Sequence, residues 1–397
     1  MFKTIPPAGI RIKFKEIFSA LSSSFSNGSG LENFKESLKK YFGVKHAFLV
    51  NSGRASLTII LRALSSITDK KEIIIPAYTC FSVPSAVYRA GFKISLCDIS
   101  LKTLSLEPEK LSVIVSDQTL CVLPVHMFGL SCEILPIIKM AHQKNCVVIE
   151  DAAQAMGGRL NDRKLGTFGD VGFFSLGRGK NMTTFEGGII ITNADEYARL
   201  IQKEMEKVNK ANRIDELKIF LYIICYKLFL NPNLYWIADN LPFLELGLSK
   251  FDPGFKMKGL SAYQANLGEL LLKRIDSINE ERRKKALLWN EKIKHLENLY
   301  IPSAVENSYP VYPRFPVILQ RRDNKFTHHL ASRSLGISSM YPGTVDKIRQ
   351  VRSLSAQAQE NFPTSETVAK SLITLPTHPH VDEKAMDKTI DILRENL

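Results

Sequence analysis

The chain has 397 residues, enough for two or three domains at about 150 residues each. Its 45% hydrophobic and 23% charged residues are those of a soluble globular protein, and 22 Gly with 18 Pro exclude collagen-like and low-complexity chains. The formal charge of +13 is spread along the sequence without an arginine-rich arm or RNA-binding signature, so nucleic acid is not an expected partner. Solvated helix faces account for most of that excess, among them Arg282-Arg283-Lys284-Lys285 after Glu280-Glu281; an acidic small substrate would suit it too. The opening MFKTIPPAGIRIKFKEIF has a proline pair and lysines where an export signal needs an unbroken apolar core. The longest apolar run, residues 219–226, is far short of the roughly 20 residues that span a bilayer. Six cysteines form no CxxC pair, and Cys97, Cys121, Cys146 and Cys225 lie in apolar runs as small hydrophobes. A cytoplasmic protein with reduced thiols, no metal site and no membrane span is expected.

Taken in chain order, the first 250 residues alternate short apolar runs with helical patterns. The runs are HAFLV (46–50), EIII (72–75), FKISLC (92–97), LCVLPV (120–125), CVVIE (146–150), VGFFSL (171–176) and GIIIT (188–192). Continuous rather than alternating apolar runs fit strands buried on both faces of a mostly parallel sheet. Candidate helices lie between them: ASLTIILRAL, SVPSAVYRA and EILPIIKMAHQK. This is the α/β signature, and it predicts one large domain over residues 1–250 built on a seven-stranded sheet. From about residue 214 an apolar, aromatic stretch broken by Pro232 and Pro242 reads as a helical pair buried against the body or a partner subunit. A membrane-surface helix is disfavoured there, because only Lys218 and Lys227 supply the basic face. Residues 260–296 read as one long amphipathic helix. The rest, with the strand FPVIL, turns at Gly336 and Pro342 and a closing helix DEKAMDKTIDILREN, predicts a smaller α+β domain over residues 251–397.

Three segments carry the chemistry: NSGRAS (51–56), VVIEDAAQA (147–155) and GFFSLGRGKN (172–181). The first runs from a strand through Gly53 into a helix, whose free N–H groups suit an anion. By itself it is equally an ordinary turn. The second places Glu150 and Asp151 at a strand end, the edge where open α/β sheets bind ligands, although an acid there is often only a helix cap. The third adds Ser175 and, in a glycine-flanked turn, Lys180. Together these are the parts that pyridoxal phosphate needs: an amine for a Schiff base, a carboxylate for the pyridine nitrogen, and donors for the phosphate.

The stretch EDAAQAMGGRLNDRKLGTFGDVGFFSLGRGKNMTTFEGGIIIT resembles the signature of the DegT family of nucleotide-sugar aminotransferases. The likeness extends in order through NSGRAS, IPAYTCFSVPSAVYRAG with Asp98, PVHMFG, FKMKGLSAYQANLGELLL and LITLPTHPH, nearly the whole chain. It implies the aspartate-aminotransferase-like fold (fold type I) and pyridoxal 5'-phosphate as cofactor. It implies Lys180 as the Schiff-base lysine and general acid–base, Asp151 on the pyridine nitrogen, and Gln154 on the ring. Ser175 and the amides around Gly53 and Arg54 would hold the phosphate. Three positions depart from the family. Arg54 replaces a common Thr, so that its guanidinium either takes over that contact or points elsewhere. Cys80 replaces a stacking aromatic, for which Tyr78 or Phe81 would substitute. Gly254 stands where an asparagine usually crosses to the partner's phosphate. The implied reaction moves an amino group from an amino acid, with glutamate the expected donor, to a keto sugar on a nucleoside diphosphate, in a homodimer. The rivals are a sugar dehydratase, against which Lys180 argues, an aminotransferase on a non-sugar ketone, and a non-catalytic binding or regulatory protein of the same fold.

Overall fold

Every one of the seven apolar runs forms a strand of one sheet. The computed structural model describes residues 3–26, 28–240, 249–320, 324–354 and 361–397. Two helices that the sequence reading left out, α1 (Phe14–Ser26) and α2 (Gly30–Phe42), precede β1 (His46–Val50) and α3 (Gly53–Leu64). There follow β2 (Glu72–Pro76), α4 (Ser82–Ala90), β3 (Lys93–Cys97), α5 (Pro108–Ile114), β4 (Thr119–Val122), α6 (Ile134–Gln143) and β5 (Val147–Asp151). A short hairpin, β6 (Arg159–Leu160) and β7 (Arg163–Lys164), leads to β8 (Val171–Ser175), β9 (Gly188–Thr192) and α7 (Asp195–Glu206). The sheet order is β1-β9-β8-β5-β4-β2-β3, and only β9 runs against its neighbours. Each strand buries both faces, as the continuous apolar runs require. In β2, Ile74 faces one layer while Ile73 and Ile75 face the other; in β8, Phe174 and Phe173 divide in the same way.

The second half continues with α8 (Arg213–Phe229), α9 (Pro232–Asp239), α10 (Ala262–Leu272), α11 (Ile275–Ile293), β10 (Leu299–Tyr300), β11 (Ser308–Tyr309) and β12 (Phe315–Leu319). It closes with α12 (Leu330–Ser334), α13 (Arg349–Leu354), α14 (Pro363–Ser371), β13 (Leu372–Leu375) and α15 (Glu383–Asn396). β10, β12 and β13 form a small antiparallel sheet. Its core joins Phe315, Val317 and Leu375 to Trp289 and Ile293 of α11 and Leu393 of α15.

The single helix expected over residues 260–296 is two. Arg274 leaves the helical region (φ −127°, ψ 13°), and its guanidinium pairs with Glu16 at 2.7 Å. The break lets α10 pack on α1 and α2, buried nearly all round, while α11 runs on to α15. Residues Leu260 to Ile278 share the main-sheet core, and Ala286, Trp289 and Ile293 share the small one. We infer that the domain division expected at 250/251 falls inside α11.

The apolar stretch after residue 214 is only partly buried within the chain, which leaves open the partner-subunit half of the expectation. Only Ile219 and Ile223 of α8 are fully buried, while Ile214 is 64% exposed and Leu217, Leu221, Tyr222 and Leu228 about half exposed. Residues 241–248 of that stretch lie outside the described residues. Among the described residues no single helix is long and apolar enough to cross a membrane; α8 and α9 together are, but bend by 119° between them. Cys225 is exposed on α8, and Cys132 is a buried thiol instead.

Candidate active site

Strand alternation separates the two acids that end β5. Glu150 turns inward and is fully buried, accepting from the N–H groups of Gly166 (2.9 Å) and Gly169 (2.6 Å). His126, equally buried, faces it with Nε2 at 2.8 Å. The His126 Nδ1 accepts the Cys132 N–H at 3.2 Å, so Nε2 carries the ring proton and donates it to Glu150. That is a structural pair. Asp151 points the other way, to the carboxyl edge of the sheet. It is 6% exposed, and its Oδ1 accepts the Ala153 N–H at 3.0 Å. Burial pushes its carboxyl pKa up, opposed by the Ala153 N–H and by the charge of Lys180.

Lys180 sits in the turn after β8, half-buried, its N–H on Gly177 O at 3.3 Å. Its Nζ has no hydrogen-bond partner among the described residues. Burial lowers its ammonium pKa; Cys80 and Asp151 counter that, and the Arg314 guanidinium adds to it. The turn is held from α11. Arg282, 1% exposed, donates to Gly9 O (3.1 Å), Asn181 O (3.2 Å) and Lys180 O (3.3 Å). This corrects the expectation that residues 282–285 are all solvated: Arg282 lies on the inner face of α11, where three carbonyls replace water.

The N-terminus of α3 supplies an anion cradle. Ser52 caps it by accepting the Ala55 N–H at 3.1 Å, and Ser56 N bonds Ser52 O at 3.0 Å. The N–H groups of Gly53 and Arg54 have no acceptor among the described residues, as helix geometry dictates for first-turn amides. Gly53 is closely packed here: a β-carbon on it would lie 3.2 Å from Ser175 Cβ and 3.6 Å from Ser175 Oγ. Two free amides and a hydroxyl therefore meet at the strand ends. The Arg54 side chain is not among them. Its guanidinium bonds Asp252 at 3.1 Å and lies 4.8 Å over the Phe255 ring, which Arg89 also covers at 4.5 Å. Of the two courses open to Arg54, it takes the second, and only its backbone faces the cradle. Gly254 has no side chain to offer a phosphate, and its N–H is taken by Asp252 at 3.0 Å.

Tyr78 and Gln154 meet on a residue that the sequence reading missed. Tyr341, from the small body, receives the Gln154 Nε2 donor on its hydroxyl at 3.0 Å and puts its ring 5.4 Å from that of Tyr78. Its N–H approaches the Tyr78 hydroxyl at 3.4 Å, and the Phe128 N–H donates to Gln154 Oε1 at 3.3 Å. Cys80 is half-buried with Sγ 3.4 Å from Ser249 Oγ. Nothing in the sequence marked Tyr341 beyond its place before the Pro342 turn, because contact across 187 residues leaves no local pattern.

The arrangement fits pyridoxal phosphate. The glycine-shaped cradle with its free amides suits the phosphate, the buried Asp151 has no ion-pair partner among the described residues and would gain one in a protonated ring nitrogen, and Lys180 offers an unencumbered amine. The chain matches the DegT/DnrJ/EryC1/StrS aminotransferase family over residues 12–394. Among curated relatives it is 26% identical to the dTDP-3-amino-3,6-dideoxy-alpha-D-galactopyranose transaminase of Aneurinibacillus thermoaerophilus, covering 95% of this chain and 94% of that one. It is 26% identical to the spore coat polysaccharide biosynthesis protein SpsC of Bacillus subtilis, covering 96% and 94%. The crystal structure of S. venezuelae DesV in complex with a ketimine intermediate superposes with a TM-score of 0.77 at 24% identity, over 96% of this chain and 94% of that one. The protein is an enzyme of the DegT/DnrJ/EryC1/StrS aminotransferase family, with pyridoxal phosphate as its cofactor.

Proposed function

We propose that the enzyme transfers an amino group from an amino acid, glutamate being the expected donor, to the keto carbon of a sugar carried on a nucleoside diphosphate. The observation that carries this reading is that Lys180, its ammonium pKa lowered by burial, and the buried Asp151 act on each other's charge at the sheet edge that also bears a free-amide cradle. The bound cofactor supplies an electron sink, which lets a proton leave the donor's α-carbon. The protein's residues do the rest. Gly53 and Arg54 amides and the Ser175 hydroxyl hold the phosphate, and Gln154 and Tyr78 border the ring. Asp151 would favour the protonated ring nitrogen by facing it with a carboxylate. Lys180 would take the proton at the donor's α-carbon as general base and act in turn as general acid, and a lowered pKa leaves more of it as free amine at neutral pH.

The reading extends to a cytoplasmic homodimer. The exposed stripe Ile214, Leu217, Leu221, Tyr222 and Leu228 is apolar surface of the kind that a partner subunit covers. The test combines three measurements on protein loaded with pyridoxal phosphate: the yellow absorbance, sedimentation equilibrium, and a mass-spectrometric screen of nucleotide keto-sugars with glutamate. Lys180→Ala should abolish both the covalent absorbance and turnover and leave the fold intact. Undiminished transamination by that variant removes Lys180 from the mechanism, and a fully active monomer removes the homodimer.

A further inference from the structure

Helix α1 is apolar on both sides. Ile17 and Ala20 turn inward and are buried, while Phe14, Phe18 and Phe25 stand in solvent, Phe25 at 72% exposure. Helix α8 lies antiparallel beside it. Lys227 Nζ is 5.0 Å over the Phe14 ring, Phe220 meets Phe18 edge-on at 6.0 Å, and Arg213 is 5.4 Å over Phe25. The two outer faces therefore join into one patch, with Leu217, Leu221 and Leu228 exposed along its α8 side. At about 25 Å by two helix widths it is on the order of 500 Å², a size that marks an interaction surface rather than scattered surface hydrophobes. The charge on this patch has one sign. Lys13 and Lys15 flank Phe14, Lys218 follows Leu217, and all three are exposed without an ion pair among the described residues. The acids of α1, α8 and α9 are all committed: Glu16 to Arg274, Asp215 to Lys258 and Glu216 to Arg213, each at 2.7 Å, and Asp239 to Arg333 at 2.6 Å. The sequence of α8 alone carries too few basic residues for a lipid surface; α1, distant in sequence, supplies the rest.

We propose that the α1/α8 face docks on the anionic surface of a lipid bilayer, its rings and leucines entering the headgroup boundary and its lysines meeting the lipid phosphates. Apolar character alone, the ground for a partner subunit above, does not choose between the two covers. Charge does. A second copy related by a two-fold axis would lay this basic face on its own duplicate, lysines toward lysines. Anionic headgroups neutralise them instead. Aromatic rings flanked by lysines, whose stems lie along apolar surface while their heads stay wet, make up a helix that rests in the plane of an interface. A homodimer would then close on another face of the chain. The inference is independent of the aminotransfer reading, since it uses none of the residues placed around the cofactor.

The experiment sediments the full chain, loaded with pyridoxal phosphate, with vesicles of phosphatidylcholine alone or with about one-third phosphatidylglycerol, at about 0.1 M salt. Wild type should pellet with the anionic vesicles and bind the neutral ones about 100-fold more weakly, from about fivefold for each of three lysines near the surface. The triple variant Lys13→Gln, Lys15→Gln, Lys218→Gln should lose about the same factor on anionic vesicles. Leu217→Ser with Leu221→Ser should lose at least about tenfold. All of these side chains are exposed, so both variants should melt with wild type. Cys225, the one exposed thiol of six, sits four residues after Leu221. A polarity-sensitive probe attached to it should shift to the blue on anionic vesicles only. Failure of wild type to pellet, equal affinity for the two vesicle types, or an unshifted probe overturns the proposal. Vesicle binding that neither variant weakens overturns it as well. A wild-type dimer that the leucine variant splits into monomers assigns the face to a second copy, and that result also overturns it.

Discussion

Replacing Arg282 with Met tests whether the lysine turn is held from α11. The side chain is buried, and burial lowers its pKa to about 10, still charged at neutral pH. It binds three carbonyls, at 3.1, 3.2 and 3.3 Å, that belong to the N-terminal segment and to the turn carrying Lys180. Hydrogen bonds from a charged donor contribute roughly 1.5–3 kcal/mol each, and every carbonyl left dry costs about 1–3 kcal/mol. Against this, methionine removes the desolvation penalty of a buried guanidinium, itself several kcal/mol. The net loss should be about 3 kcal/mol, near the low end for breaking a buried charged network. In urea the unfolding midpoint of the cofactor-free protein should drop by about 1 M, for a slope near 3 kcal/mol per molar. Arg282→Lys, which cannot span all three carbonyls, should lose about half as much. The second readout is the pH at which the cofactor's covalent absorbance appears, because a displaced Lys180 meets a different field. If Arg282→Met unfolds within about 0.5 kcal/mol of wild type and leaves that absorbance profile unchanged, the turn does not depend on Arg282.

Two further outcomes follow from buried titrating groups. Burial raises the Asp151 pKa in the cofactor-free protein, so this group favours the native state most below the ordinary carboxylate range and loses that contribution as pH rises through its folded value. Asp151→Asn should therefore melt higher than wild type at pH 7 without cofactor, with the gap closing near pH 3.5, while transamination falls about 100-fold or more; a lower melting temperature at pH 7 refutes the burial argument. His378 is neutral: burial lowers its pKa to about 3, and its Nε2 donates to Pro6 O at 2.6 Å. The unfolded ring, near 6.5, takes up a proton first, so stability present above pH 6.5 is lost at about 1.4 kcal/mol per pH unit as pH falls toward the folded value. His378→Gln should lose about 2.7 kcal/mol less than wild type between pH 6.5 and 4.5 in urea titrations, and parallel curves for the two proteins would contradict this.

The large sheet was legible because its signal is local. Runs such as EIII and VGFFSL carry their own burial pattern, and a strand end at Asp151 or a glycine turn before Lys180 is written in adjacent residues. The breaks in legibility have a common cause. A helical period runs unbroken through residues 260–296, and only the partners of Arg274 and Glu16 reveal that the chain turns between α10 and α11. The basic quartet at 282–285 looks uniform in sequence, yet the inward position of Arg282 depends on where α11 docks. The α8 face reads as apolar, and an apolar face predicts burial without saying against what. Charge and hydropathy report what a residue prefers; they do not report which distant element satisfies it.

That distinction bears on how the site is divided. The groups proposed to serve the cofactor, Gly53, Asp151, Ser175 and Lys180, all lie at strand ends of the large sheet or in the turns that leave them. The groups that brace this edge, Arg282, Arg314 and Tyr341, come from α11 and the small body. Arg282 holds the carbonyls of Lys180 and Asn181, and the Arg314 guanidinium lies beside Gly179. Tyr341 holds Gln154 and packs on Tyr78, and the Val345 N–H bonds Ala77 O at 2.8 Å just before Tyr78. The lysine turn is thus braced from α11 and the small body. A change in the small body should therefore alter which substrate reacts before it alters whether cofactor binds, whereas a change at the large-sheet strand ends should do the reverse.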